Sequence, residues 1–165
     1  MSLPRVHIIG TGGTIAMGAS TSGGVVPSMS AEDLIRAVPG LAQAAELSAA
    51  QLRQVAGSSL SLEDLLAVAA EARRQIALAQ RELDAARAGA QGIVVTQGTD
   101  TIEEIAFGLD LLLEGDTPLV VTGAMRNPTL PGADGPANLL AAVLTAASPA
   151  ARGLGGLVVF NDEIH

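Results

Sequence analysis

Four short apolar-rich runs punctuate this chain, at residues 6–9, 93–96, 118–122 and 157–160. Each is too short for a helix and is followed by Gly, Gln or Asn, so each reads as a strand buried on both faces of a parallel sheet. A further strand is expected at 51–55, ended by Gly57-Ser58-Ser59. Between the strands the apolar period lengthens. Ser30, with Asp33 three residues on, opens a short helix carrying Leu34 and Val38 and stopped by Pro39-Gly40. Ser61 and Asp64 repeat that start signal. After them Leu62, Leu65, Ala69, Ala72, Ile76, Ala79 and Leu83 recur in steps of three and four, one stripe of a helix that ends near Gly89. A coiled coil is the rival reading, but several stripe positions are Ala and a strand follows at once. Helices are also expected over 101–113, with Glu103 and Glu104 at the positive end of its dipole, and over 134–147. Strands alternating with helices along the whole length predict an α/β fold of three layers, α/β/α, around a mostly parallel sheet.

The remaining segments lack periodicity. Residues 18–30 are Gly, Ser, Thr and Pro rich and read as a long flexible loop, a lid or a mere surface excursion. Residues 123–136 read as a long polar loop with three prolines, and 161–165 as loop past the last strand.

Composition narrows the possibilities. A chain of 165 residues buries roughly 70% of its unfolded surface as one domain. With two Phe and no Tyr or Trp, the core must be built from Ala, Val, Leu and Ile. Charged residues are only 16%, which favours self-association into a homo-oligomer. The formal charge of -8, with arginines set among acids, argues against nucleic acid. No apolar stretch is long enough to span a membrane, and residues 1–10 enter the first strand too early for a secretory signal. Cysteine is absent, which permits a reducing compartment, and a cytoplasmic location is expected. His7 reads as a core histidine, His165 is far from it, and Asp134, Asp162 and Glu163 match no cation loop, so neither metal nor cofactor is expected.

Two threonines stand out. Thr14 lies in Thr11-Gly12-Gly13-Thr14-Ile15-Ala16, and Thr99 in Thr96-Gln97-Gly98-Thr99-Asp100-Thr101, each directly after a strand. Strand, tight turn, hydroxyl and helix set a small polar group at the carboxyl edge of a parallel sheet, where open α/β folds bind ligands. At Thr14 the paired glycines expose backbone amides that could face an oxyanion while the hydroxyl attacks. The alternative is a glycine turn and a helix cap. A phosphate loop needs Gly-Lys-Ser/Thr and this chain has no Lys; the dinucleotide fingerprint needs a third glycine that is missing. Asp100 could hold a substrate ammonium, or simply cap the next helix with Glu103 as its capping-box partner. Ser58 is a third hydroxyl in a turn after a strand. No nucleophile-elbow serine with a histidine partner is present.

These motifs resemble the amino-terminal domain of the bacterial-type L-asparaginases, a family that includes glutaminase-asparaginases. The first signature is Thr11-Gly12-Gly13-Thr14-Ile15-Ala16, the second Gly98-Thr99-Asp100-Thr101-Ile102-Glu103-Glu104. The third is Gly123-Ala124-Met125-Arg126 followed by Ala133-Asp134-Gly135-Pro136-Ala137-Asn138-Leu139. The likeness runs over residues 5–162. It implies hydrolysis of L-asparagine to L-aspartate and ammonia without a cofactor, Thr14 being the nucleophile that forms a β-acyl-enzyme. It implies that Thr99 activates water or relays a proton, that Asp100 binds the α-amino group and Ser58 the α-carboxylate, and that the Ala124 backbone lines the amide-leaving side. On this resemblance residues 1–165 form one amino-terminal α/β domain, and the family's carboxyl-terminal domain, which completes a neighbour's site, is absent. The family's catalytic lysine should follow shortly after His165, and its loop tyrosine has no counterpart in 18–30. Two expectations compete. One is a short enzyme that rebuilds its site by self-association, with Glu163 or His165 assisting. The other is a truncated or non-catalytic amino-acid-binding domain. A glutamine amidase of the same superfamily shares the signatures.

Overall fold

The computed structural model describes residues 2–21, 23–81 and 90–165. Among the described residues there are eight strands: β1 (Arg5–Gly12), β2 (Met17–Ala19), β3 (Val25–Pro27), β4 (Glu46–Val55), β5 (Gly92–Thr96), β6 (Leu119–Thr122), β7 (Gly156–Phe160) and β8 (Glu163–Ile164). The helices are α1 (Ala31–Ala37), α2 (Leu41–Ala44), α3 (Leu62–Arg81), α4 (Ile102–Leu112) and α5 (Gly135–Ala147). The main sheet runs β4-β1-β5-β6-β7-β8; its first five strands are parallel and β8 is antiparallel to β7.

Alternation along each central strand builds the three layers. Val6, Ile8, Val94 and Val120 point to one side, where α1, α2 and α5 cover them with Leu34, Leu41, Leu139 and Val143. Ile9, Ile93, Val95 and Val121 point to the other, under α3 and α4 with Val68, Ala72, Ile105 and Leu109. The expected α/β/α architecture is the one observed.

Both start signals work as capping boxes. Ser30 Oγ accepts from Asp33 N–H at 3.1 Å and Asp33 accepts in return from Ser30 N–H at 2.9 Å. Ser61 and Asp64 do the same at 3.2 and 2.9 Å. The stripe on α3 needs correction at its start: Leu62 is 67% exposed, and the buried seam begins with the half-buried Leu65 and continues through Val68, Ala69 and Ala72. Leu83 and Gly89 lie outside the described residues.

Four further features differ from the sequence expectation. Residues 18–30 contain the hairpin β2–β3 rather than a featureless loop. It is anchored where Ser28 and Met29 N–H both donate to Ala16 O at 2.9 Å. The second strand begins at Glu46, five residues before the expected start, because an edge strand mixes polar and small residues and gives little periodic signal. The single turn α2 was not expected. Residues 161–165 form a tight hairpin into β8, with Asn161 at φ 52° and Asp162 at φ 63°, the pair of left-handed residues that a two-residue turn requires.

His7 is a core residue, as expected. Its Nδ1 shares a 2.7 Å hydrogen bond with Ser48 Oγ on β4, and its Nε2 lies 3.3 Å from Glu71 Oε1 on α3. Burial pushes its pKa down, more than the Glu71 carboxylate raises it.

The loops that leave β4, β1 and β5 meet main chain to main chain. Gly98 is wedged between Gly13 and Gly57: a Cβ on Gly98 would sit 2.5 Å from Gly57 N and Cα and 3.5 Å from Gly13 Cα. Gly13, at φ 75°, also donates its N–H to Val55 O at 2.8 Å. Only glycine permits this approach.

Two outcomes follow from this packing. Gly98→Ala should destabilise the fold by about 1–3 kcal/mol, because the Cβ has no rotamer to escape along; an unchanged urea midpoint would show that the loops are not in contact. Stability should also fall in two stages on acidification. His7 binds its proton less readily folded than unfolded, so its contribution is complete above about pH 6.5 and is lost as pH falls through its depressed folded value. Asp33, Asp64 and Glu71 are held below the usual carboxylate range, chiefly by hydrogen bonds from Ser30 N–H, Ser61 N–H and Arg74 respectively. Their contribution is present above about pH 4 and is lost below it. Urea titrations across pH should show the first stage missing from His7→Gln and the second retained.

Candidate active site

Register places the candidate residues before any side chain is considered. Gly12 pairs with Val55, Gly10 with Thr96, and Thr96 with Thr122, across four adjacent parallel strands. Thr14, Ser58, Thr99 and Ala124 each lie two or three residues beyond those paired positions, and so leave the sheet at the same carboxyl edge. Thr14 and Thr99 are half-buried, Ser58 and Asp100 are exposed, and Ala124 is buried.

Hydrogen bonds tie these loops across the strands. Thr11 Oγ1 donates to Thr96 O at 3.0 Å, and Gln97 N–H to Thr122 O at 3.0 Å. Ser58 N–H donates to Asp100 Oδ2 at 3.1 Å, and Thr101 Oγ1 reaches Gly57 O at 3.4 Å. The Thr99 methyl lies beside Gly123, 3.4 Å from where a Cβ would stand. Thr14 follows Gly13, Thr99 follows Gly98, and Ser58 follows Gly57, so each candidate is one residue from the glycine contact. No hydrogen bond joins the Thr14 and Thr99 side chains among the described residues.

The capping alternatives are not what the structure contains. The cap of α4 is Thr101, which makes no side-chain cap hydrogen bond, and Asp100 turns away to Ser58. One of its carboxylate oxygens is thereby fixed while the group remains exposed at the edge. The turn at Thr14–Ala16 has Gly13 at its cap, without a side-chain hydrogen bond.

Glu163 and His165 are not beside these threonines. They lie on or next to β8, three strands beyond β5, roughly 14 Å along the sheet. With Met125, Arg126, Asp134 and Phe160 they line a separate hollow of about 610 Å3. Among the described residues no group of three or more acidic, His or Cys side chains is placed to hold a metal, and no helix is long and apolar enough to cross a membrane.

Three residues at this edge carry roles that the sequence did not reveal. Asp134 accepts from Met125 N–H at 2.9 Å and Arg126 N–H at 2.8 Å. Burial raises its pKa, but the hydrogen bonds from Met125, Arg126 and its own N–H and from the Asn138 side chain together hold it below the usual carboxylate range. Asn138 is buried and donates to Gly123 O. Gln97 is fully buried, with Nε2 on Gly98 O at 3.2 Å and Oε1 without a partner. The only available signal was the motif containing Asp134 and Asn138, which marks likeness and not contact.

Comparison with known proteins agrees with this geometry. The family model "Asparaginase, N-terminal" matches residues 5–165. L-asparaginase 2-3 of Saccharomyces cerevisiae is 43% identical over 99% of this chain and 43% of its own length. Glutaminase-asparaginase of Pseudomonas fluorescens biotype A is 42% identical over 99% of this chain and 44% of its own. The crystal structure of a probable cytoplasmic L-asparaginase from Campylobacter jejuni superposes with a TM-score of 0.83 at 35% identity, over 98% of this chain and 47% of that one. The chain thus spans less than half the length of these relatives. With nearly every residue inside the family match and the signature loops gathered at one sheet edge, this chain belongs to the asparaginase family and corresponds to its amino-terminal domain.

Proposed function

We propose that this chain hydrolyses L-asparagine to L-aspartate and ammonia through a threonine nucleophile. The observation that carries the reading is the convergence of four loops, from adjacent parallel strands, around the contact of Gly13, Gly57 and Gly98. That convergence offers one small zwitterion a carboxylate, two threonine hydroxyls and a serine hydroxyl at one edge of the sheet.

In the proposed reaction, Asp100 takes the α-ammonium with the oxygen that Ser58 N–H leaves free. Ser58, its N–H already engaged, offers its hydroxyl to the α-carboxylate. Thr14 Oγ attacks the side-chain amide carbon; a C–O bond forms, the C–N bond breaks, and ammonia departs with the hydroxyl proton. The developing oxyanion is met by backbone N–H donors at this edge other than Gly13, whose N–H is held by Val55 O. Thr99 then delivers water to the β-acyl-enzyme and relays its proton, releasing aspartate and restoring Thr14. The Ala124 backbone lines the side from which ammonia leaves.

A neutral threonine needs a base. This chain contains no Lys, and its own Glu163 and His165 are three strands away. In a homo-oligomer, Glu163 or His165 of a second copy would serve as that base. The exposed Leu144, Leu154 and Ile164, which line an apolar hollow of about 380 Å3, support such self-association. The reading includes a cytoplasmic location, no cofactor, and no nucleic-acid or membrane partner. Discrimination against glutamine, one methylene longer, is worth only about 1–3 kcal/mol, so both amides belong in the assay.

The test is ammonia release from the purified chain. Thr14→Ala and Thr99→Ala should each lower it by about a thousandfold or more while the fold persists. Asp100→Asn should raise KM for L-asparagine by about tenfold to a hundredfold, the cost of one charge-assisted hydrogen bond. Near-wild-type turnover in Thr14→Ala would remove the nucleophile assignment. Binding of L-aspartate without any ammonia release would make the chain a binding domain.

A further inference from the structure

We propose that Asn138 is a positioning residue that sets the loop carrying Ala124, an inference that rests on the asparaginase reading above. Asn138 lies on α5 and is 3% exposed. Its side-chain amide is fully used. Nδ2 donates to Gly123 O at 3.0 Å and to Asp134 Oδ2 at 3.1 Å, and Oδ1 accepts from Asn161 N–H at 3.1 Å. The opposite amide orientation would set Oδ1 against a carbonyl and a carboxylate and leave the Asn161 N–H facing another donor, so the network fixes one orientation.

Three consequences follow. First, the Gly123–Ala124 peptide cannot rotate freely: with its C=O held toward α5, its N–H points the opposite way, as a trans peptide demands. Second, Asp134 is held by Asn138 while it receives Met125 and Arg126 N–H, so the next two peptides are fixed from the same centre. Third, the contact to Asn161 N–H ties the turn after β7, where Asn161 and Asp162 have positive φ, into the same unit. A single buried side chain therefore joins the segment after β6, the start of α5 and the turn after β7. Asp100 and Ser58, which in this reading grip the substrate's α-groups, belong to other loops and share no hydrogen bond with Asn138 among the described residues. The clamp should therefore govern the geometry of the amide being cleaved more than the affinity for the amino acid.

The near-isosteric Asn138→Asp replaces two donors with an acceptor facing Gly123 O and Asp134, and Asn138→Ser shortens the side chain and supplies a second, milder variant. Steady-state ammonia release from L-asparagine should show kcat lower by about a hundredfold in Asn138→Asp, with KM within about threefold of wild type. Amide hydrogen exchange on the same proteins should be about tenfold faster or more at Met125, Arg126 and Asn161, and unchanged at Ser58. A variant with lowered stability but wild-type kcat would overturn the positioning role, as would exchange unchanged at those three amides. If Asn138→Asp does not fold, the same two readings on Asn138→Ser decide. If wild type itself releases no ammonia, the asparaginase reading fails separately, and unchanged exchange would still overturn the clamp while faster exchange would uphold it.

Discussion

Three glycines from three different loops touch main chain to main chain at the carboxyl edge of the sheet, and Thr14, Ser58 and Thr99 each sit one residue away from that contact. Gly98 packs against both Gly13 and Gly57 with no space for a methyl group. Side chains at this point would push the loops apart, and a nucleophile and its helper held even 1 Å too far apart lose much of their effect. The precision of the site is therefore set by backbone contact, the least flexible material the chain has.

The rest of the fold keeps that contact in place. Parallel strands carry Gly10, Thr96 and Thr122 in register, so the loops leave at one level. Apolar layers on both faces prevent the strands from sliding, since a one-residue shift would turn Ile8 and Val94 from one helix layer to the other. Polar ties then hold the carboxyl edge: Thr11 to Thr96 at the ends of β1 and β5 and Ser58 to Asp100 between loops on one side, and Asn138 with Asp134 on the other. Rigid core and polar edge are thus separated, and the Asp100 and Asp134 carboxylates sit hydrogen-bonded at the edge instead of unpaired in the interior.

Much of this was legible in the sequence where one physical cause dominates locally. The runs at 6–9 and 93–96 are strands because nothing except a two-sided core wants so many β-branched residues together, and Ser30 and Ser61 announce their helices through capping boxes. Legibility failed where the cause is distant. The short strands β2, β3 and β8 are defined by pairing, and Glu46 joins the sheet because β1 lies alongside it. Asp100 is the clearest case. Before a helix, an Asp reads in sequence as its cap; the structure instead has Asp100 accepting from Ser58 N–H, 42 residues away, with Thr101 at the cap of α4. Asn138 likewise reads as one more residue of an Ala- and Leu-rich helix until Gly123 and Asn161 are seen on either side of it.

The central claim is that Thr14, Ser58, Thr99 and Asp100 face one small ligand. Titrating the isotope-labelled chain with L-aspartate, while following backbone amide resonances, tests it most directly. The account predicts saturable shifts concentrated at those four residues and at Gly13, Gly57 and Gly98. Shifts confined to other surfaces, or none at saturating L-aspartate, would contradict it.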